Sequence, residues 1–356
     1  MSEAMNVQES TPAPTQRGAG SFTEPTFTPA RRGAHESSMR LEEHPCQETG
    51  GTPRSRNALD PGLAPNVLDT ALVFEGGGMR NAYTAAVVAE LLAQGIHFGH
   101  VSGISAGSSH LCNYVSRDAA RSRRTFVDIV DDPDFGGFSH FRQGRGYFNA
   151  EYIYERICYP EGAIPFDIDT FAASPVKTRV GAFNASRGEM RWFTKEEMST
   201  LETLGPRVRA SSTLPILMPP VMIEGDTYVD GALGPNGGIA LDVPMREGYR
   251  KFLVIATRPR DYVKGPLRPA LGAALKAKFR TLPTVYEGVA RRPARYNAAR
   301  KRMLELEAEG RAYLFFPESI TISNTEMRKE RLEANYLAGQ AQIRREMPAI
   351  RRFLGL

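Results

Sequence analysis

The order of apolar and polar positions along the chain predicts alternating strands and helices. The apolar run Ala71–Glu75 ends in glycines and predicts a buried strand, and the Ala- and Leu-rich stretch Asn81–Gln94 predicts a helix that a glycine ends. His100–Gly103 and Ala106–Val115 repeat the order of strand and helix. Because successive strand–helix units require crossover connections, the pattern indicates an α/β protein with a parallel sheet.

Later stretches of the chain add further strands and two helical regions. Strands are predicted, in chain order, at Val176–Phe183, Arg191–Thr194, Phe252–Thr257 and Ala312–Phe316. Leu201–Ala210 is predicted to be helical. From Met327 to Phe353 the pattern predicts one or two amphipathic helices, with Pro348 as a break because proline has no backbone N–H to donate.

Composition divides the chain into three parts. Residues 1–66 contain eight prolines and six glycines and almost no aliphatic run, so we expect a disordered tail that buries too little apolar surface to offset the entropy of ordering. Order is expected to begin near Val67. We predict an α/β domain over residues 67–258, and a basic, mainly helical extension over residues 259–356 that packs on it.

Charge and cysteine content exclude several classes of protein. The net charge is +5 and no nucleic-acid-binding motif accompanies it, so no nucleic acid partner is expected. Cys46, Cys112 and Cys158 form no CxxC pair, which argues against a disulfide framework or a zinc site. No signal-peptide pattern and no apolar run of membrane-spanning length is seen. We therefore expect a cytoplasmic protein, with a peripheral role at a membrane left open.

The candidate nucleophile is Ser105, in the sequence Gly103-Ile104-Ser105-Ala106-Gly107. This G-x-S-x-G pattern is typical of a sharp strand-to-helix turn that exposes a serine hydroxyl above a sheet. Taken alone, the pattern is more often an ordinary turn, since Gly, Ser and Ala are common residues. A predicted strand before it and a predicted helix after it favour the nucleophile.

A glycine-rich loop follows the first predicted strand. Gly76, Gly77 and Gly78 allow close approach of the backbone to a ligand and can turn N–H groups toward a developing negative charge, as an oxyanion hole requires. A dinucleotide-binding loop fits poorly, because Asn81 stands where its third glycine is expected. Arg80 has three open roles: holding the loop, contacting a lipid phosphate or forming a structural salt bridge.

The distribution of histidines restricts the choice of base. None of the six histidines follows residue 140, so a triad in the order serine, acid, histidine cannot be built. His110, on the helix after Ser105, is predicted to point away from the turn. Asp230 lies at the end of a short predicted strand, before a glycine turn, and can act as a carboxylate base. The alternative is an aspartate that satisfies local N–H groups of the turn.

Together these motifs resemble those of the patatin-like phospholipases. The family's order is a G-G-G-x-R loop, then G-x-S-x-G, then D-G-[AG], which correspond here to Gly76–Arg80, Gly103–Gly107 and Asp230–Ala232. Arg209–Pro215 is similar to the family's A-S-x-x-x-P sequence before the aspartate. The resemblance covers residues 70–257, and the stretch beyond is comparable to the basic helical extension of some bacterial members.

The resemblance implies a three-layer α/β/α fold around a central, mostly parallel sheet, and catalysis without a metal or cofactor. It implies a Ser105–Asp230 dyad that cleaves carboxylic esters of phospholipids or related lipids. The implied oxyanion donors are Gly76, Gly77, Gly78 and Ala106. Two alternatives stay open: an acyltransferase with the same dyad, and a membrane-associated binding module without activity.

Three further features are not explained by these motifs. Residues 264–302 contain eleven Lys or Arg and one acid, which is typical either of a surface for anionic membranes or of a solvated helix face. The spacing of Asp128, Asp131, Asp132 and Asp134 does not fit a calcium loop and favours a polar loop. Phe135–Tyr147, rich in glycine and aromatic residues, is interpreted as a mobile flap over an acyl channel.

Overall fold

The computed structural model of the chain describes residues 61–356. Most of the expected tail, residues 1–60, lies outside the described residues. A 3₁₀ turn at Pro61–Leu63 comes first. Val67 is buried and forms an isolated parallel bridge with Phe98, so the chain is tied to the fold from this point.

Eight strands and ten α-helices occur within residues 61–356. The strands are β1 (Thr70–Phe74), β2 (His100–Ile104), β3 (Lys177–Asn184), β4 (Glu189–Phe193), β5 (Val221–Ile223), β6 (Asp226–Asp230), β7 (Lys251–Ile255) and β8 (Ala312–Phe315). The helices are α1 (Asn81–Ala93), α2 (Ala106–Val115), α3 (Ala119–Arg124), α4 (Phe138–Arg142), α5 (Ile168–Ala173), α6 (Leu201–Ser212), α7 (Asp242–Arg246), α8 (Pro269–Lys278), α9 (Pro283–Ala308) and α10 (Lys329–Leu354). Every strand and helix predicted from the sequence is present, with bounds shifted by a few residues.

All the strands join one mixed sheet. Its order is β5-β6-β3-β2-β1-β7-β8, and β4 also pairs with β3. The central pairs β3–β2, β2–β1, β1–β7 and β7–β8 are parallel, whereas β4, β5 and β6 are attached through antiparallel pairs. The loops that follow the parallel strands therefore meet at one edge of the sheet, where ligands bind in open α/β sheets.

The apolar faces of the central strands are covered on both sides. Leu72 and Phe74 of β1 pack in one cluster with residues of α1, α2, α6 and α10. Ala71 and Val73 point the other way and pack with residues of α9. Because successive strand residues face opposite sides, this alternation produces helix, sheet and helix layers. The predicted three-layer α/β/α fold with a mostly parallel sheet is confirmed.

The predicted break at Pro348 is wrong, because α10 is one continuous helix with Pro348 inside it. Met347 and Ile350 on either side of the proline are buried in the same core cluster as α1. A proline inside a helix costs about 3 kcal/mol. The burial of apolar residues along both halves of α10 offsets this cost, and the sequence pattern alone does not reveal that burial.

Candidate active site

Ser105 occupies a strained turn between β2 and α2. Its backbone has φ 57° and ψ −136°, a conformation that residues with side chains rarely adopt. The turn is tight: a Cβ added to Gly103 would lie 2.4 Å from the oxygen of Gly107. The Ser105 N–H donates to Ser211 Oγ at 2.9 Å, and Ser211 Oγ in turn donates to Gly181 O at 2.6 Å. Through these two hydrogen bonds, α6 and β3 hold the turn in place.

The Ser105 hydroxyl donates a hydrogen bond to Asp230. The distance from Ser105 Oγ to Asp230 Oδ2 is 2.7 Å, and both side chains are buried. Asp230 Oδ1 accepts the N–H of Ala232 at 2.8 Å, and the Asp230 N–H donates to Thr213 O at 2.8 Å. The serine and the aspartate that the motifs single out are therefore brought together, and the carboxylate is oriented by a separate bond to each oxygen.

The register of the sheet explains how residues 125 positions apart in the chain meet. In the β2–β3 pair Ile104 lies opposite Gly181, and in the β3–β6 pair the next residue, Ala182, lies opposite Asp230. Asp230 therefore lies at the same level of the sheet as Ser105, and β3 runs between the strands that carry them. Their side chains meet in a hydrogen bond of 2.7 Å.

Burial makes Asp230 a stronger base than an ordinary aspartate. Removal from water raises the pKa of its carboxyl, while the charge of Arg292 and the hydrogen bonds from Ala232 and Ser105 act in the opposite direction. The net pKa is above the usual value. A carboxylate with a raised pKa is better suited to accept the proton of a serine hydroxyl.

The glycine loop lies directly against the nucleophile. Gly78 has φ +55°, and a Cβ there would lie 2.4 Å from Asn324 O, so only glycine fits. The Gly76 N–H is occupied, because it donates to Gly238 O at 3.2 Å. The N–H groups of Gly77 and Gly78 donate to nothing within residues 61–356.

An apolar pocket begins at Ser105 and runs between α2, α3 and α6. Apolar side chains that line it include Met79, Phe126, Phe135, Phe148, Ile157 and Met218. Ala106, the first residue of α2, lies at its mouth beside the nucleophile. The pocket therefore presents a mainly apolar lining next to the Ser105 hydroxyl.

Two of the histidines within residues 61–356, His110 and His100, have partners other than Ser105 and Asp230. His110 is buried, with its Nε2 2.9 Å from Thr84 Oγ1 and 3.2 Å from Asn81 O. Burial lowers the pKa of His110 to about 3, so this histidine is neutral at ordinary pH. His100 Nε2 lies 3.2 Å from Glu247 Oε2. Neither contacts Ser105 or Asp230, and His110 packs in the core.

Several residues near the site have no signal in the motifs. Tyr296 of α9 donates to Glu75 Oε1 at 2.6 Å, and the N–H of Thr257 donates to Glu75 Oε2 at 2.7 Å, which anchors the start of the glycine loop. Ser211 belongs to the A-S-x-x-x-P sequence, and this motif is the sequence feature from which it could have been identified. Arg80 is buried and forms no ion pair within the described residues, and burial with nearby Arg258 lowers its pKa to about 10.

Aspartates of the loop 128–134 form ion pairs and hydrogen bonds with other side chains. Asp131 pairs with Lys329, and Asp128 pairs with Arg123 at 3.5 Å. Asp132 accepts the hydroxyl of Tyr152. Across residues 61–356 no group of three or more His, Cys, Asp or Glu side chains is arranged to hold a metal ion.

The predicted flap and the basic segment lie on the surface near the pocket. Phe135 and Phe148 line the pocket, and between them Phe138 and Phe141 of α4 are 70% and 44% exposed. The flap's mobility stays a prediction. Phe141 also shares a surface groove with Lys278 of α8. No helix in the described part of the chain is both long and apolar enough to cross a membrane.

The comparison with protein-family models agrees with the motifs. Residues 72–243 match the family model described as patatin-like phospholipase, and residues 282–355 match a model described as a domain of unknown function (DUF6363). The protein YjjU of Escherichia coli (strain K12), described as uncharacterised, is 27% identical over 201 residues. The matched region covers 55% of this chain and 54% of YjjU. VipD from Legionella pneumophila aligns over 79% of this chain and 67% of its own, with 13% identity and a TM-score of 0.43.

Proposed function

Because the chain carries a patatin-like phospholipase domain at residues 72–243, we propose that it hydrolyses carboxylic esters of phospholipids or related lipids through a Ser105–Asp230 dyad. The domain confirms the family resemblance of the motifs, and the family is one of lipid acyl hydrolases. The observation that carries the proposal is the hydrogen bond of 2.7 Å from the Ser105 hydroxyl to the buried Asp230 carboxylate.

In the first step Ser105 Oγ forms a bond to the carbonyl carbon of the ester while its proton moves to Asp230 Oδ2. The C=O electrons move to the oxygen and form a tetrahedral oxyanion. When this intermediate collapses, the bond to the alcohol breaks and the leaving oxygen takes the proton from Asp230. An acyl group remains on Ser105, with its chain in the apolar pocket.

The oxyanion is assigned to the free N–H groups beside Ser105. Gly78 and Ala106 line the pocket with Ser105, and Gly77 precedes Gly78 in the same loop, so their N–H groups are suited to this role. The N-terminus of α2 adds a favourable dipole. Gly76 instead holds the loop through its bond to Gly238 O.

Water completes the reaction. Asp230 accepts a proton from a water molecule as its oxygen attacks the acyl carbon, and the second tetrahedral intermediate releases the fatty acid and returns the proton to Ser105 Oγ. The same carboxylate therefore acts as base in each attack and as acid in each collapse, which requires one oriented oxygen and no histidine.

The exposed residues near the pocket support a membrane-facing surface. Lys276, Lys278 and Arg280 at the end of α8 are exposed and form no ion pair with any residue in 61–356. Phe138 and Phe141 of the flap are exposed, and Phe141 shares a surface groove with Lys278. Aromatic anchors next to unpaired cations are typical of surfaces that bind anionic bilayers. We propose that this surface, the α4–α8 face, holds the enzyme at its lipid substrate.

The dyad is tested by substitution. Ser105→Ala and Asp230→Asn should each lower the hydrolysis of a short-chain chromogenic ester by several orders of magnitude, because each removes a group that takes part in bond formation. His110→Gln is the matched control within the same region. Turnover like that of the wild type in either dyad variant, with the fold intact by circular dichroism, would remove the dyad from the mechanism.

A further inference from the structure

Four cationic side chains lie close to one another around the glycine loop. We call Arg80, Arg258, Lys264 and Arg292 the cationic cluster. Arg80 follows the loop directly, in the 3₁₀ turn Gly78–Arg80. Arg292 Nε lies 3.4 Å from Gly237 O, and the next residue, Gly238, accepts the Gly76 N–H. The cluster is therefore attached to the loop that borders Ser105.

The four cations of the cluster have a single acid, Glu75, near them. None of its members forms an ion pair or a hydrogen bond to a carboxylate within residues 61–356. Glu75, the one acid among them, already accepts bonds from Tyr296 and Thr257. Arg80 is the clearest case: it is 8% exposed, its Nε has no partner, and its guanidinium donates to no described residue.

The positive charges in the cluster also lower the pKa of neighbouring members. Burial together with Arg292, Arg258 and Arg80 lowers the pKa of Lys264 to about 8. Lys264 Nζ lies 5.7 Å from the centre of the Tyr296 ring, the residue that bonds Glu75. Like charges held together without a partner are unfavourable until an anion neutralises them. A ligand with two negative charges matches four cations and one acid better than a ligand with one.

We propose that the cationic cluster binds a phosphate monoester, as the head group of the lipid whose ester bond lies at Ser105. The inference rests on the proposed function and names its substrate class: acyl glycerol phosphates with a terminal, doubly charged phosphate. Arg guanidinium groups bind phosphate through paired hydrogen bonds, and Arg80 has its donors free for this. Lys264 and Arg292 belong to the C-terminal extension, which thereby sets specificity.

The test compares three substrates that carry the same acyl chain: 1-acylglycerol 3-phosphate, the corresponding phosphocholine diester and the monoacylglycerol. Wild-type kcat/KM should rank them in that order. The double variant Arg258→Gln, Lys264→Gln should lower the ratio of the phosphate monoester to the monoacylglycerol by about tenfold or more, since hydrogen bonds to charged groups are worth about 1.5–3 kcal/mol. Arg291→Gln is the matched control, because Arg291 neighbours Arg292 on α9 but pairs with Glu287. Arg292 is left unchanged since its charge also acts on Asp230.

Binding without turnover separates this inference from the proposed function. With Ser105→Ala protein, glycerol 3-phosphate should raise the melting temperature, inorganic phosphate should do so less, and the Arg258→Gln, Lys264→Gln changes should remove both effects. If the Arg258→Gln, Lys264→Gln variant loses activity equally on all three substrates, or keeps the wild-type ratio of kcat/KM for the phosphate monoester to that for the monoacylglycerol, the head-group site is contradicted. If inorganic phosphate raises the melting temperature as much as glycerol 3-phosphate does, and kcat/KM is the same for the three substrates, the cluster binds free phosphate and not a lipid head group. Absence of activity on any ester, with binding retained, would contradict only the hydrolase.

Discussion

At Ser105 the chain holds one hydroxyl in a strained position against the buried carboxylate of Asp230. The positive φ of Ser105 aims Oγ at Asp230, and the bond from the Ser105 N–H to Ser211 keeps the turn from relaxing. The motifs predicted the serine and the aspartate because local sequence specifies the turn and the strand end. The supporting bonds depend on contacts between distant elements, and only Ser211 had a motif of its own.

The buried charge of Asp230 is expected to cost stability. The folded-state pKa of Asp230 is raised above the ordinary value of 3.8, so the protonated form is favoured by folding. Below the unfolded pKa both states are protonated and the group has no effect on the free energy of unfolding. As pH rises through the folded pKa, the ionised carboxylate destabilises the fold. Asp230→Asn lacks this charge.

We therefore expect Asp230→Asn to be inactive and yet more stable than the wild type at pH 7. The difference in the free energy of unfolding, measured by urea denaturation, should shrink as pH falls through the folded pKa toward 3.8. Asp226→Asn is the control, since Asp226 pairs with Arg187 at the surface. An Asp230→Asn protein less stable than the wild type at pH 7 would show that hydrogen bonds of the carboxylate outweigh its desolvation.

Among the elements, β1 and β7 were readily predicted, whereas the continuity of α10 through Pro348 was not. β1 and β7 are apolar runs whose length and flanking turns identify a buried strand. Pro348 signals a helix end locally, but packing of α10 against α1 overrides it. The local sequence pattern therefore located these elements, but it did not predict that α10 continues through Pro348, because that depends on packing against a helix distant in the chain.

At the level of elements, α8 and α4 are predicted to act together at membranes. Vesicle binding should rise with the fraction of anionic lipid, fall with added salt, and weaken when Lys276, Lys278 and Arg280 become Gln, because each basic residue near an anionic surface contributes about 1 kcal/mol. Replacing Arg302, which pairs with Glu305, is the control. Equal binding to neutral and anionic vesicles in co-sedimentation would leave the α4–α8 face as ordinary surface.

In the whole molecule, the C-terminal extension completes the site that the motifs start. β8 pairs with β7 and extends the sheet. Asn324 O accepts the Met79 N–H, Tyr296 holds Glu75, and Arg292 acts on Asp230. The motifs identified Ser105, Asp230 and the glycine loop but gave no indication of these contacts, because no motif links residues so far apart in the chain.

The central claim is that Ser105 is a nucleophile activated by Asp230. Labelling with a fluorophosphonate, followed by mass spectrometry of the modified peptide, tests it most directly, because the reagent bonds covalently to activated serine hydroxyls. We predict a single adduct on Ser105 in the wild type, none in Ser105→Ala, and labelling slowed by several orders of magnitude in Asp230→Asn. No adduct on the folded wild-type protein, or an adduct on another residue, would contradict the claim.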